Sequence, residues 1–387
     1  MKVLGCSLAS PGFTAPVIRA LAGARQRLGA SVAIATGLGL ENWCARAGVQ
    51  RLPRGEVDGD SFGPSVWAKP LHIAMQVKHI EHALATFGAD ILVTNHLGIG
   101  AMIVAEREKI PLVVIGGPSF LYPMDAEDRD GRRTWTIHEI TGALNTARGL
   151  FGLAVASDAV AETPLLGDCF MLQLPLELAN AVYRHLPERV VCTGAFTWEA
   201  ARPSDDLRAL LAAARRASYV AYVQFGRLFN TTDPWPRVAG AFADMTVALI
   251  VGHGRRDDPI VTQAKRRIYV TQEEAQDAIL DVSDFVISTG HPTSVLGALT
   301  HGLPLVLIPN GSGTFDTADI CETLGVGVRL DWETFGSDDV RLAFELLVRD
   351  GRASAASLNA VRAYSESDPE QTFVDALLRL TRRPVAL

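Results

Sequence analysis

The chain has 387 residues, of which 48% are hydrophobic and 20% are charged, and its formal net charge is −7. This length exceeds what a single hydrophobic core needs and is sufficient for two domains, and the composition is that of a globular protein. Because no run of Lys and Arg could follow a phosphate backbone, the sequence excludes nucleic acid as an expected partner.

The apolar segments are short. The longest, residues 111–117 and 303–309, have the length of strands, whereas a bilayer requires roughly 20 apolar residues. The N-terminus enters a strand-like run without a signal-peptide pattern, and the five cysteines form no CxxC pair. We therefore expect a cytoplasmic protein without an integral membrane segment, whose cysteines are reduced and buried.

The first half of the chain alternates strand-like and helix-like segments. Apolar runs end in turn residues such as Ser10-Pro11-Gly12, and the segments between them carry apolar side chains at helical spacing. The predicted strands are residues 3–9, 31–36, 91–95 and 112–117, and the predicted helices are residues 16–28 and 101–109. This alternation predicts a parallel sheet that helices cover on both faces.

The same alternation restarts in the second half. The predicted strands are residues 219–225, 247–251, 268–270, 285–288 and 305–308, and the predicted helices are residues 275–280, 295–300 and 317–324. A polar, Pro-containing stretch near residues 200–206 separates the two series. We predict two doubly wound α/β domains, and ligands bind such sheets outside the carboxyl ends of the strands.

Two successive strand-to-helix loops between residues 284 and 327 are rich in Gly, Ser and Thr. They comprise residues 289–294 and 309–314. Backbone N–H groups at helix N-termini bind phosphate, so these loops indicate a phosphate site. Ordinary turns have the same composition, and the loops alone leave the choice open.

Residues 284–327 resemble the donor-binding signature of the natural-product glycosyltransferases, the macrolide-type enzymes with the two-domain GT-B fold. The matching positions are Ala298, Leu299, Gly302, Pro304, Pro309, Ala318, Gly325 and Gly327. The resemblance implies a nucleoside diphosphate sugar as co-substrate, a small natural-product acceptor, and metal-independent transfer without a cofactor.

Weaker matches extend the resemblance over most of the chain. Residues 12–32 resemble the first loop, helix and second strand of that family, and residues 194–199 and 222–226 resemble the segments on either side of its interdomain linker. The resemblance implies two Rossmann-like domains facing each other across a cleft. The predicted boundaries are an acceptor domain at 1–200, a linker at 201–208, a nucleotide-sugar domain at 209–364, and a terminal helix at 365–387 that packs back on the first domain.

Several signature positions of the donor site differ from the family pattern. Thr289 stands in place of the phosphate-binding His, and His291 in place of a Gly. Gly297 replaces the Glu that holds the ribose hydroxyls in the family, and Gly313-Thr314 replaces the Asp-Gln pair that binds the sugar. Loops of Thr, Ser and Gly could still hold a diphosphate through hydroxyls and backbone amides.

In the acceptor domain, Phe13 occupies a predicted loop where the family commonly has a His that serves as general base. An alcohol acceptor needs such a base, whereas a thiol or thione does not. Three interpretations follow. The first is a transferase for an unusual donor or acceptor, such as a thiol or thione. The second is an O- or N-transferase with a base from elsewhere, and the third is an inactive homologue that acts as a binding or auxiliary subunit.

The candidate residues follow from these matches. His96, which comes after a strand, is the substitute base, and Phe13 and His138 are acceptor contacts. The predicted donor residues are Gly226, Arg227, Gln276, Gly290, His291, Thr293, Ser294, Gly313 and Thr314. We predict no metal site, because His72, His79 and His82 are better explained as a solvated or acceptor-lining helix face. Whether the chain forms a homodimer stays an open question.

Overall fold

The computed structural model describes residues 1–8, 11–54, 59, 69–119, 132–157, 163–197, 202–225, 233–252, 260–273, 275–311 and 313–382, with only the backbone of residues 132–139. The chain forms two compact units. The first comprises Met1–Ala179, Tyr183–Trp198 and Ser367–Leu387, and the second comprises Asn180–Val182 and Glu199–Glu366.

The first unit is built on a parallel sheet. Its strands are β1 (Lys2–Cys6), β2 (Ser31–Ala35), β3 (Gln50–Leu52), β4 (Ile91–Asn95), β5 (Leu112–Gly116), β6 (Cys169–Leu172) and β7 (Val190–Cys192). Its helices are α1 (Pro11–Leu28), α2 (Glu41–Ala47), α3 (Pro70–Phe87), α4 (Ile99–Glu108), α5 (Arg132–Leu150) and α6 (Leu176–Val182). The strand order is β3-β2-β1-β4-β5-β6-β7.

The second unit repeats this plan. Its strands are β8 (Tyr219–Gln224), β9 (Val247–Gly252), β10 (Ile268–Thr271), β11 (Phe285–Ser288), β12 (Leu305–Leu307) and β13 (Gly327–Arg329). Its helices are α7 (Asp205–Ala214), α8 (Trp235–Ala241), α9 (Gln276–Leu280), α10 (Pro292–His301), α11 (Thr314–Thr323), α12 (Ser337–Phe344) and α13 (Ser354–Ser365). The strand order is β10-β9-β8-β11-β12-β13.

Each sheet has one point at which the strand order reverses. In the first unit β1 is followed in space by β4, and in the second β8 is followed by β11; both pairs are parallel. Successive helices on either side of this point lie on opposite faces of the sheet, which leaves a crevice at the carboxyl ends of the two central strands. The predicted parallel α/β class is therefore confirmed, and each unit offers one favoured ligand position.

A last helix, α14 (Pro369–Arg382), returns to the first unit and packs on α1. Phe373 and Leu377 of α14 are fully buried in the same hydrophobic cluster as Ile18 and Leu21 of α1. The predicted domain and linker boundaries fall partly on residues outside those described, and they stay predictions.

Three helices that carry candidate site residues in their first turns begin earlier than predicted. Helix α1 begins at Pro11 instead of residue 16, α10 at Pro292 instead of residue 295, and α11 at Thr314 instead of residue 317. In α1 and α10 a proline occupies the first helical position, where its missing N–H is not needed. As a result, Phe13, Thr293 and Thr314 lie in first helical turns rather than in loops.

Candidate functional site

The first unit has an aromatic pair at its switch point. Phe13 lies in the first turn of α1, just after β1, and His96 follows β4. Their ring centroids are 5.3 Å apart with an interplanar angle of 88°, an edge-to-face contact. The predicted loop position of Phe13 is wrong, but the predicted acceptor residue and the predicted base lie side by side where the strand order reverses.

A buried polar network holds the backbone beneath this pair. The Oγ of Ser7 and the Oγ1 of Thr14 are 2.8 Å apart, and the side-chain amide of Asn95 donates to the Ser7 Oγ at 2.6 Å. The Asn95 Oδ1 accepts from the backbone N–H of Leu97 at 2.8 Å. Because Ser7, Thr14 and Asn95 are almost completely buried, these bonds fix the start of α1 and the loop that carries His96.

His96 is a neutral imidazole at pH 7. His96 is half-buried, and burial lowers its pKa from 6.5 to about 4, while a hydrogen bond with the backbone of Ile115 opposes this only in part. A neutral ring can accept a proton. A base with so low a pKa is weak, however, because efficient proton transfer requires a pKa near the working pH.

A small cavity opens beside this loop, between β1, β4 and α3. Its lining consists of Cys6, Leu8, Gln76, Ile80, Asn95, Leu97 and Gly98. Every one of these side chains is uncharged. The Gln76 Oε1 accepts from the backbone N–H of Gly100 at 3.3 Å, which joins α3 to the start of α4.

The three histidines of α3 do not share one environment. His79 is 3% exposed and its Nε2 lies 3.4 Å from the carbonyl oxygen of Leu52, whereas His82 is exposed and His72 is half-buried. A uniformly solvated face is therefore wrong, because His79 is buried, and the acceptor-lining role stays a prediction. Among the residues that the structure describes, no three His, Cys, Asp or Glu side chains come together in a way that could hold a metal ion.

In the second unit the two predicted donor loops pack against each other. Gly290 has a φ of 86°, and its N–H donates to the Ser288 Oγ at 3.1 Å. A Cβ on Gly290 would lie 2.8 Å from the carbonyl oxygen of Thr314. Two features therefore require glycine at position 290: the left-handed backbone conformation and the close approach of the start of α11.

His291 is the N-cap residue of α10, and its Nδ1 lies 2.9 Å from the Thr293 Oγ1. His291 is half-buried, and burial lowers its pKa from 6.5 to about 4, which favours the neutral imidazole. The expected hydrogen bond from His291 to an anion stays a prediction.

Several hydroxyls of the two donor loops form hydrogen bonds to the protein itself. The Ser294 hydroxyl donates to the His291 carbonyl at 2.9 Å and lies 2.6 Å from the Ser288 Oγ. The Thr314 hydroxyl donates to the Gly311 carbonyl at 2.6 Å, and the Thr289 hydroxyl donates to the Phe225 carbonyl at 2.9 Å. Ser294 remains a candidate donor residue through its backbone N–H group, whereas the backbone N–H of Thr314 donates to the Gly311 carbonyl at 3.2 Å.

Gln276 occupies the space that Gly297 leaves open. Its side-chain amide donates to the Thr293 carbonyl at 3.2 Å, and a Cβ on Gly297 would collide with that amide. The residue that replaces the family's Glu thus lets α9 and α10 pack closely. Gly313, the N-cap residue of α11, has nothing within 4 Å of its Cβ position.

Three candidates cannot be located further. Gly226 and Arg227 lie outside the described residues, and His138 lies in α5 with only its backbone described. The proposed contacts of these three residues stay predictions.

The structure also shows polar residues at this edge that the sequence analysis missed. Both side-chain amide atoms of Asn310, and the Oε1 of Gln224, are shielded from solvent without a hydrogen-bond partner. Asp316, in the first turn of α11, is 5% exposed. For Asn310 and Asp316 the available signal was a polar side chain within the second Gly-rich loop or just after it.

No protein-family model and no curated protein matches the chain by sequence. Solved structures do match. The glycotransferase of kitacinnamycin superposes with a TM-score of 0.71 at 19% identity, over 98% of this chain and 99% of that chain. A glycosyltransferase from Streptomyces nogalater gives 0.69 at 19% identity over 98% and 99%. The spinosyn rhamnosyltransferase complexed with thymidine diphosphate gives 0.71 at 15% identity over 98% and 100%.

These likenesses establish the fold. The chain has the two-unit Rossmann-like architecture of the GT-B natural-product glycosyltransferases along essentially its whole length. None of the described helices is both long and apolar enough to cross a membrane.

Proposed function

We propose that the protein is a glycosyltransferase that moves a sugar from a nucleoside diphosphate sugar to a small natural product. The observation that carries this proposal is the N-terminus of α10 at the switch point of the second sheet. The N–H of Val295 makes the bond back to His291, so the N–H groups of Thr293 and Ser294 precede the intrahelical ladder. Such groups bind anions.

The diphosphate would be held without a metal ion or cofactor. The N-termini of α10 and α11 meet at Gly290, so two helix dipoles stabilise negative charge at one place. That charge develops on the leaving diphosphate during sugar transfer, and oriented amides stabilise it without reorganisation. The complex of a structural neighbour with thymidine diphosphate supports this assignment.

For the acceptor we propose a sulfur nucleophile or another group that needs little deprotonation. The aromatic ring of Phe13 lies beside His96, and the low pKa of His96 makes the first unit's switch point weakly basic. A thiol is nucleophilic near neutral pH without a strong base. The Phe13→His variant should then leave turnover of that acceptor nearly unchanged.

An alcohol acceptor with His96 as base is the competing route. In that case His96→Ala should lower kcat by roughly 10²-fold or more. Product mass from a mixture of alcohols, amines and thiols decides between the two. An O-glycoside as sole product, abolished by His96→Ala, would refute the sulfur proposal and leave sugar transfer intact.

The donor assignment is tested by calorimetry with UDP, GDP and TDP. We expect saturable binding of at least one of them, and His291→Ala should weaken it by up to about tenfold, since an uncharged hydrogen bond contributes about 0.5–1.5 kcal/mol. Absence of binding for all three would refute the donor site.

A non-catalytic binding or auxiliary subunit is the second candidate function. The inward bonding of the Ser294 and Thr314 hydroxyls favours it, because fewer side chains remain to hold a donor in a reactive position. Nucleotide binding without product formation for any acceptor would support this role.

A further inference from the structure

Asn310 differs from the other polar residues of the described chain. Both its Nδ2 and its Oδ1 are shielded from solvent without a hydrogen-bond partner, and no other described side chain has two such atoms. The Oε1 of Gln224 is likewise shielded from solvent without a hydrogen-bond partner. Both residues are themselves half-buried, so their amides lie just beneath the surface.

Asn310 and Gln224 flank the switch point of the second sheet. Gln224 is the last residue of β8 and pairs in register with Ser288, the last residue of β11. Asn310 follows β12, which pairs with β11 on its other side. The two amides therefore lie at the carboxyl ends of the strands on either side of β11, and α10 begins just beyond β11.

An unpaired buried amide costs free energy, so water or a ligand is expected to supply the hydrogen bonds that the chain does not. A phosphate is not a sufficient partner, because its ionised oxygens only accept hydrogen bonds. The Oδ1 of Asn310 and the Oε1 of Gln224 need a donor, whereas the Nδ2 of Asn310 needs an acceptor. A hydroxyl group supplies both.

We propose that Asn310 and Gln224 bind the hydroxyl groups of the sugar carried by the nucleotide. This inference rests on the proposed donor site. At Gly313-Thr314, where the resembling family binds the sugar, one residue has no side chain and the hydroxyl of the other donates to the Gly311 carbonyl. We therefore assign side-chain recognition of the sugar to the two amides, which reach it through a change of side-chain rotamer on binding.

The test compares two ligands on isosteric apolar variants. Asn310→Leu and Gln224→Met remove the amides and keep the shape of the side chains. Ser357→Ala is the matched control, since the Ser357 hydroxyl is also buried and unpartnered but lies on α13, which packs near the C-terminal end of α10 at Gly302. Calorimetry gives the Kd of a nucleoside diphosphate and of its sugar conjugate, and the Tm is measured without ligand.

We expect each amide variant to have a Tm equal to or above that of the wild type, because an unsatisfied polar group has been removed. The Kd for the nucleoside diphosphate should stay within about twofold, whereas the Kd for the sugar conjugate should rise by about tenfold or more. Ser357→Ala should change neither Kd.

Two results would overturn the proposal while leaving the donor site in place. One is unchanged binding of the sugar conjugate in both variants. The other is a lower Tm with an equal loss of both ligands, which would show that the amides are structural. A wild-type protein that binds neither ligand would refute the donor site itself and this inference with it.

Discussion

His96 and His291 occupy equivalent places in the two units, each just beyond a central strand, and burial gives both a pKa of about 4. An unfolded histidine has a pKa of about 6.5. Between pH 6.5 and pH 4 the unfolded chain therefore binds more protons than the folded one. The stability from the neutral rings is complete above pH 6.5 and is lost as the pH falls toward 4.

This linkage predicts a specific change in acid sensitivity. His96→Gln and His291→Gln should each flatten the fall of unfolding free energy between pH 6.5 and pH 4, by at most about 1 kcal/mol per pH unit. Urea titrations at several pH values measure the slope. Because the carboxylates are unchanged, the acid dependence that remains belongs to them. An unaltered slope in both variants would show that the imidazoles are not buried as neutral groups.

Gly290 offers a second residue-scale prediction. Gly290→Ala must place a Cβ at a φ of 86° and 2.8 Å from the Thr314 carbonyl, so we expect a loss of about 1–3 kcal/mol of unfolding free energy and weaker nucleotide binding. Gly325→Ala is the matched control, because its φ is 71° but the nearest atom is 3.6 Å away. Equal losses in a denaturant titration would mean that the contact with α11 is unimportant.

Sequence alone located these loops but not the direction of their side chains. The Gly-rich composition and the helix starts predicted where Thr293 and Ser294 lie. Whether a serine hydroxyl faces a ligand or the preceding carbonyl depends on backbone angles that composition does not encode. The unpartnered amide of Asn310 is a property of the tertiary environment, so no local pattern could have revealed it.

At the scale of elements, the contact between α1 and α14 has an ionic centre. The Glu370 carboxylate accepts from Arg19 at 2.5 Å and from Arg27 at 3.2 Å, and it is 9% exposed. A Cβ on Gly23 would lie 2.9 Å from the Glu370 Cγ, so the glycine lets the two helices approach. This contact attaches the end of the chain to the first unit.

We expect Glu370→Ala to lower the unfolding free energy by about 1–2 kcal/mol, because the buried carboxylate is lost while both arginines can still reach solvent. Asp244→Ala is the control. Its carboxylate pairs with Arg341 but is 69% exposed, so its removal should cost less than about 1 kcal/mol. Denaturant titration of both variants measures the difference, and a larger loss for Asp244→Ala would contradict the assignment.

Elements whose apolar residues form a continuous run or recur at a regular spacing were predictable, and the others were not. The central strands are buried on both faces and form continuous apolar runs, which is why residues 91–95 and 285–288 match β4 and β11. Helix α5 has weakly separated polar and apolar residues, so no clear face marks it. The early starts of α1 and α10 were missed because prolines 11 and 292 resemble turn residues as much as first helical residues.

For the whole molecule, alternation of strands and helices predicted two parallel α/β units, and the structural neighbours confirm that class. Fold alone does not specify a reaction. The groups at the two switch points restrict the possible reactions. The first unit offers a weakly basic histidine beside an aromatic ring, and the second offers helix N-termini and neutral amides.

The mass of the products tests most directly whether this chain transfers sugars. The wild-type protein is incubated with a panel of nucleotide sugars and a mixture of thiols, alcohols and amines, and the products are analysed by mass spectrometry. We predict at least one acceptor whose mass increases by that of one sugar residue, with release of one equivalent of nucleoside diphosphate. Tight binding of a nucleotide sugar with no such product from any acceptor would contradict it.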